Sequence, residues 1–217
     1  MSNDRKITFF HCPQSRSAGT LVLLEELGAP YDLRVLNMKA GENRQPDYLA
    51  INPLGKVPAI LDGDALVTEQ CAIYIHLADR FPGKGLAPVL DDPLRGPYLR
   101  WIVFYGSSFE PAMVDKAMKR EPAPKAMSPY SDYNSVQSVI LSQLENGPYL
   151  LGERFSAADV LWGSALKWMT MFNLFPESPA VTDYVQRVTT RPAFIKVTKD
   201  DTERAARHQI AAEAAKP

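Results

Sequence analysis

Two short stretches carry most of the groups that could do chemistry. The first, His11-Cys12-Pro13-Gln14-Ser15-Arg16-Ser17, holds a thiol, two hydroxyls, an imidazole and a guanidinium within a single turn. Ser15 and Ser17 can each cap the helix that follows, as Ser does at such positions, or present a hydroxyl to a ligand. Cys12 can act as a nucleophile where it is exposed and ionised, or simply fill space as a small buried hydrophobe. The second stretch runs from Asn52-Pro53-Leu54-Gly55-Lys56-Val57-Pro58 to Glu69-Gln70-Cys71. Val57-Pro58 at the start of an apolar run is a candidate cis peptide. That bond would turn the N–H and C=O of Val57 outward, where an extended peptide could pair with them. Glu69 and Gln70 open a helix, whose free N–H groups and dipole attract a carboxylate. A strand edge beside an anion hole suits a small peptide with a free carboxylate.

The elements that must position these groups follow from the pattern. Ile7 to Phe10 is a β-prone run, and Ser17 to Leu27 places Leu21, Leu23, Leu24 and Leu27 largely on one helical face before a Gly28 stop. Tyr31 to Leu36 alternates as a half-buried strand does, and Asn43 to Ile51 reads as a short, weak helix. Ala59 to Leu61 and Leu66 to Thr68, joined through Asp62-Gly63-Asp64, form a hairpin. Gln70 to Phe81 is helical. Three prolines and two glycines between Pro82 and Pro93 mark a linker. Beyond it Leu94–Ala117, Tyr130–Glu145, Ala157–Phe172 and Pro179–Thr190 read as helices, and the tail from Asp200 as a fraying surface helix. Ser156 and Asp159 have the spacing of a capping box, flanked by Phe155 and Val160 as a hydrophobic staple.

Composition narrows the function. The 217 residues are 46% hydrophobic and 23% charged, as in an ordinary globular protein. A net charge of -1 argues against nucleic acid or an anionic membrane as the main partner. Cys12 and Cys71 have no metal-ligand or CxxC spacing, so neither a metal nor a disulfide framework is expected. No apolar run approaches the roughly 18 residues of a membrane helix. The polar start Met1-Ser2-Asn3-Asp4-Arg5-Lys6 lacks an apolar signal segment, and a cytoplasmic address is expected.

The stretch N-P-L-G-K-V-P…E-Q-C-A-I resembles the N-P-x-G-x-V-P…E-[ST]-x-A-I pattern of the glutathione transferase superfamily, with Gln70 where the family has Ser or Thr. The F-[ST]-x-A-D element at Phe155–Asp159 also fits that family, and the likeness runs over nearly the whole chain. It implies an α/β thioredoxin-like domain over residues 1–81, a linker over 82–92 and an all-helical domain over 93–217. The order of elements read above agrees. It also implies glutathione as co-substrate and a symmetric homodimer. The expected function is conjugation of the glutathione thiolate to a small apolar electrophile, in detoxification.

Within that resemblance the site residues take roles. Glutathione's thiol needs help to ionise near neutrality, since a free thiol has a pKa of about 8.5. Ser15 is the first choice to donate to its sulfur, with Ser17 and Gln14 as alternatives one or two positions away in the same turn. Lys56, and further off Lys39 and Asn43, could meet the glycyl carboxylate. Val57 and Pro58 would carry the peptide backbone, and Glu69 with Gln70 the γ-glutamyl end. Phe104, Tyr105, Ser108, Phe109 and Met113, at helical spacings beyond the linker, are candidates for the second-substrate pocket. As core residues they would pack instead, as aromatic and Met side chains more often do. Cys12-Pro13-Gln14-Ser15 also looks like the CPxS site of monothiol glutaredoxins, which implies the alternative of a glutathione-dependent thiol–disulfide oxidoreductase using Cys12. A non-catalytic ligand-binding protein is the third reading. His11 reads as structural, Cys71 as packing, His76 and His208 as lacking a catalytic partner, and Arg16 as either solvated or an anion contact.

Overall fold

The structure, a computed structural model, describes residues 6–214. By its contacts the chain divides into one unit comprising residues 1–77 and 192–217 and a second comprising 78–191.

The first unit is built on a four-stranded mixed sheet of order β2-β1-β3-β4, with β1 Ile7–His11, β2 Tyr31–Val35, β3 Ala59–Asp62 and β4 Ala65–Val67. β1 runs parallel to β2 and antiparallel to β3, and β3 pairs antiparallel with β4. β1 is central and buried: Ile7 and Phe9 have no exposed surface. A parallel partner requires a crossover, which helix α1, Ser17–Leu27, supplies. Gly28 ends α1 in the left-handed region (φ 60°), where its N–H and that of Ala29 take up the last carbonyls. The expected helix at Asn43–Ile51 is instead two 3₁₀ turns followed by the four-residue α2, Pro46–Leu49. Asn37, Gly41 and Pro46 each break helical continuation there. Helix α3, Gln70–Arg80, follows the hairpin.

One expectation is overturned at the C-terminus. The tail is helical as read, but its helix begins at Pro192 rather than near Asp200, and residues 215–217 lie outside the described residues. That helix is the 23-residue α9, Pro192–Ala214, which packs on α1 within the first unit rather than joining the helical domain read over 93–217. Val197 and Asp201 are buried, and Lys196 bridges Glu25 of α1 at 2.9 Å.

The second unit is helical: α4 Arg95–Phe104, α5 Glu110–Ala117, α6 Tyr133–Leu144, α7 Ala157–Met171 and α8 Pro179–Thr189. The single long helix read over Leu94–Ala117 is interrupted by a π-helical turn at Tyr105–Phe109. Trp162 centres the core; its indole N–H donates to the Trp101 carbonyl at 2.9 Å, and the Phe109 ring lies 4.8 Å away. The capping box forms as read. Asp159, wholly buried, accepts from the Ser156 N–H at 2.8 Å and its hydroxyl at 2.9 Å, and also from the Leu150 N–H at 2.8 Å and the Tyr184 hydroxyl at 3.0 Å. Burial pushes this carboxyl up, to about 6, and those hydrogen bonds oppose the rise.

Asp159→Asn keeps the shape but puts an NH₂ where two donors converge. Altering one member of a buried charged network should cost about 3 kcal/mol. At this chain length that lowers Tm by roughly 6–12 °C, read by thermal unfolding. An unchanged Tm would mean that Asp159 does not hold the start of α7.

Candidate active site

Three segments of the first unit form the candidate site, and each is held by hydrogen bonds of its own. The β1–α1 turn comes first. Gln14 adopts a left-handed conformation (φ 55°), which folds the chain back so that Ser15 reaches the start of α1. The Ser15 hydroxyl accepts the Ser17 N–H at 3.2 Å and donates to the Cys12 carbonyl at 2.7 Å. It therefore does cap, satisfying one free N–H of the helix, yet remains partly exposed. Ser17 is wholly buried. Its hydroxyl accepts the Cys12 N–H at 3.0 Å and lies 2.7 Å from the Ser15 hydroxyl and 2.8 Å from His11 Nδ1. Gln14 and Arg16 are exposed.

Cys12 stands directly after β1, five residues before the first residue of α1, and packs against the cluster of Phe10, Tyr48, Val57 and Ala59. Burial pushes its thiol up from the ordinary value, outweighing a hydrogen bond from the Met38 backbone. A thiol in this position is mostly protonated at neutral pH.

The second segment is the loop before β3. Val57-Pro58 is a cis peptide bond, and both residues are buried. The loop carbonyls are gripped from behind: Tyr48 donates to the Lys56 carbonyl at 2.6 Å, Asn52 to the same oxygen at 2.9 Å, and Asn43 to the Gly55 carbonyl at 2.8 Å. Gly55 sits at φ 59°, and a Cβ there would meet the Asn43 carbonyl at 2.7 Å, so only glycine fits. Asn43 is thus buried and spends its amide on the loop, whereas Lys39 and Lys56 are exposed.

The third segment opens α3. Glu69 is exposed and left-handed at φ 61°, uncommon for a residue with a side chain, and its carbonyl accepts the Ile73 N–H at 3.0 Å as the first bond of the helix. The Gln70 side-chain amide donates to the Arg16 carbonyl at 3.1 Å, tying this segment to the β1–α1 turn across 54 positions of sequence. Cys71 is half-buried.

Other residues fall elsewhere. His76, read as partnerless, lies 2.9 Å from Asp62 at the end of β3. Among the pocket candidates, Tyr105, Ser108, Phe109 and Met113 are buried in the helical unit and Phe104 is half-buried. Phe109 spends its ring on Trp162 and Phe175, and Tyr105 on Phe109 and Trp162. Tyr48, Asn52 and Asp201 were missed by sequence reasoning. Asn52 was legible inside the N-P-x-G motif, but nothing local marks Asp201, 190 residues from its partner His11. Among the described residues no group of three or more His, Cys, Asp or Glu could hold a metal, and no helix is long and apolar enough to cross a membrane.

Residues 5–79 match the family model described as glutathione S-transferase, N-terminal domain, and residues 103–192 match that of its C-terminal domain. The chain belongs to the glutathione S-transferase family. It is 32% identical to the glutathione S-transferase-like protein gedE of Aspergillus terreus, over 66% of this chain and 70% of that one. It is also 27% identical to the disulfide-bond oxidoreductase YfcG of Escherichia coli, over 86% and 92%. A sphingomonad glutathione S-transferase solved with glutathione superposes with a TM-score of 0.74 at 28% identity, covering 90% of this chain and 98% of that one. Both domains of the transferase fold are therefore present.

Proposed function

We propose that this glutathione S-transferase binds glutathione across the three segments and adds its sulfur to a small apolar electrophile. The observation that carries the proposal is the Ser15 hydroxyl, partly exposed at the start of α1 while Ser17 is enclosed behind it. Ser15 donates to the glutathione sulfur, and the positive end of α1 adds to the stabilisation of the thiolate. Backbone groups of Val57 pair with the extended peptide beside Pro58. Lys56 and Lys39, both exposed cations beside the loop, answer the glycyl carboxylate. Glu69 takes the free amine of the γ-glutamyl group, and the N–H groups at the start of α3 beside Gln70 take its carboxylate. The left-handed backbone at Glu69 supports this, because strain of that kind persists where a position is needed. With both reactants held, rate comes from proximity and from a thiolate present at neutral pH. The protein works as a homodimer in the cytoplasm, in detoxification, and a monomer by sedimentation at micromolar concentration would count against the dimer.

A second reading, thiol–disulfide exchange at Cys12, draws on the identity to the E. coli oxidoreductase. Half-burial pushes the Cys12 thiol up from its ordinary value, which weighs against it.

Ser15→Ala should raise the pKa of bound glutathione and cut kcat/KM with an activated aryl halide about tenfold or more, the scale of one hydrogen bond to a charged group. Cys12→Ser should leave conjugation nearly intact. Full conjugation in Ser15→Ala, with loss in Cys12→Ser and a glutathione adduct on Cys12 by mass spectrometry, would transfer the role to Cys12.

Glu69→Gln removes the anion with little change of shape. Glutathione affinity by calorimetry should fall about tenfold or more on the same scale. Unchanged affinity would move the γ-glutamyl end elsewhere.

A further inference from the structure

Behind Ser15 lies a line of side chains that glutathione binding does not require. Ser15 and Ser17 hydroxyls are 2.7 Å apart, Ser17 Oγ is 2.8 Å from His11 Nδ1, and His11 Nε2 is 2.9 Å from Asp201 Oδ1 on α9. His11 and Ser17 are wholly enclosed, and Asp201 nearly so. The line therefore has one open end, at Ser15. We propose that this line is a proton relay, in which His11 takes the proton of the glutathione thiol through Ser15 and Ser17 and Asp201 stabilises the resulting imidazolium.

The hydrogen bonds admit an inward direction of proton travel. Burial works to raise the Asp201 carboxyl, but the His11 hydrogen bond and the Arg204 guanidinium outweigh it and hold the group below the ordinary carboxylate range. A carboxylate only accepts, so His11 Nε2 carries the hydrogen, and in the neutral ring Nδ1 is bare. Nδ1 then accepts the Ser17 hydroxyl, and the Ser17 oxygen can accept that of Ser15. The Cys12 carbonyl competes for both hydroxyl protons, at 2.7 Å from Ser15 and 3.1 Å from Ser17.

When a thiol donates to Ser15 Oγ, three protons can shift together. The S–H bond breaks as an O–H bond forms on Ser15, the former Ser15 proton passes to Ser17, and the former Ser17 proton forms an N–H bond at His11 Nδ1. Charge is conserved: neutral thiol and neutral imidazole become thiolate and imidazolium. Every hydroxyl now points outward, so Ser15 donates to the thiolate it has just made. Once product leaves, water at Ser15 receives the proton back along the same line.

Asp201 is suited to the counter-charge. Its Oδ2 is buried with no hydrogen-bond partner among the described residues, so its charge is only partly answered by Arg204, 3.0 Å from Oδ1. A buried anion in that condition favours a cation beside it. The charged groups facing this end of the line are Asp201 and Arg204 from α9, with the Cys12 thiol adjoining at the end of β1.

The inference rests on the Ser15 reading above, and one set of measurements separates the two. Ultraviolet absorbance of the complex reports whether the bound thiol is ionised; if it is not, the Ser15 reading itself fails. If it is ionised, ¹⁵N spectra of the three histidines should show His11 gaining a proton at Nδ1 when glutathione binds to the wild-type protein. Calorimetry in buffers of different ionisation enthalpy should show that proton retained rather than released. Thiolate with His11 still neutral and a full proton released to buffer would overturn the relay while sparing Ser15. His11→Gln keeps polar groups toward Asp201 and Ser17 but removes the base that can take up the proton. Its complex should release the proton to buffer, and kcat should fall about a hundredfold or more, within the range of general base catalysis, with little change in glutathione KM. Wild-type kcat in a folded His11→Gln protein would equally overturn the relay.

Discussion

A histidine buried at the end of a central strand must satisfy both ring nitrogens without water, and much of the first unit follows from how His11 does so. An unpaired polar group there would cost about 1–3 kcal/mol. Ser17, the first residue of α1, answers Nδ1, which draws that hydroxyl fully inside. Asp201 answers Nε2, which requires α9 to return to the unit where the chain began. The first unit is thus made from both ends of the chain. The same demand sorts the two serines: one is committed to the interior and the other is left at the surface.

The site's backbone is prepared in advance of any ligand. Gln14 and Glu69 both hold left-handed conformations, and the Gln70 amide joins their two segments. Opposite them, Tyr48, Asn43 and Asn52 occupy the carbonyls of Gly55 and Lys56, while Lys39 and Lys56 are exposed. A surface so constrained would lose little conformational entropy on binding a ligand. The Gln70 side chain is long enough to reach the Arg16 carbonyl, at 3.1 Å.

The helical unit solves a different problem. Asp159 places four hydrogen bonds on one buried carboxylate, joining the start of α7 to α8 and to the Leu150 backbone. Around Trp162 the aromatic residues of α4 and the π-helical turn close a core. Tyr105, Phe109 and Met113 are consumed by that packing, although their spacing alone would have suited a ligand wall equally well. Helical periodicity identifies the inward face of a helix, and it carries no mark of whether the inward neighbour is protein or ligand.

The sequence by itself determined what is local. Strand and helix order, the Asp-Gly hairpin, the Gly28 stop, the cis bond at Val57-Pro58 and the Ser156–Asp159 box all depend on residues within a few positions of one another, where propensity and capping act. The family pattern at Asn52–Ile73 was legible for the same reason. Tertiary structure alone decided what is distant: that Ser17 is enclosed and Ser15 is not, that Asn43 braces the loop, that Cys12 is held back in an apolar cluster, and that α9 belongs with the first unit. The pairing of His11 with Asp201 is the extreme case. Neither residue has a neighbour in sequence that announces the other, because a hydrogen bond depends on position in space, and only the folded backbone brings position 201 to position 11.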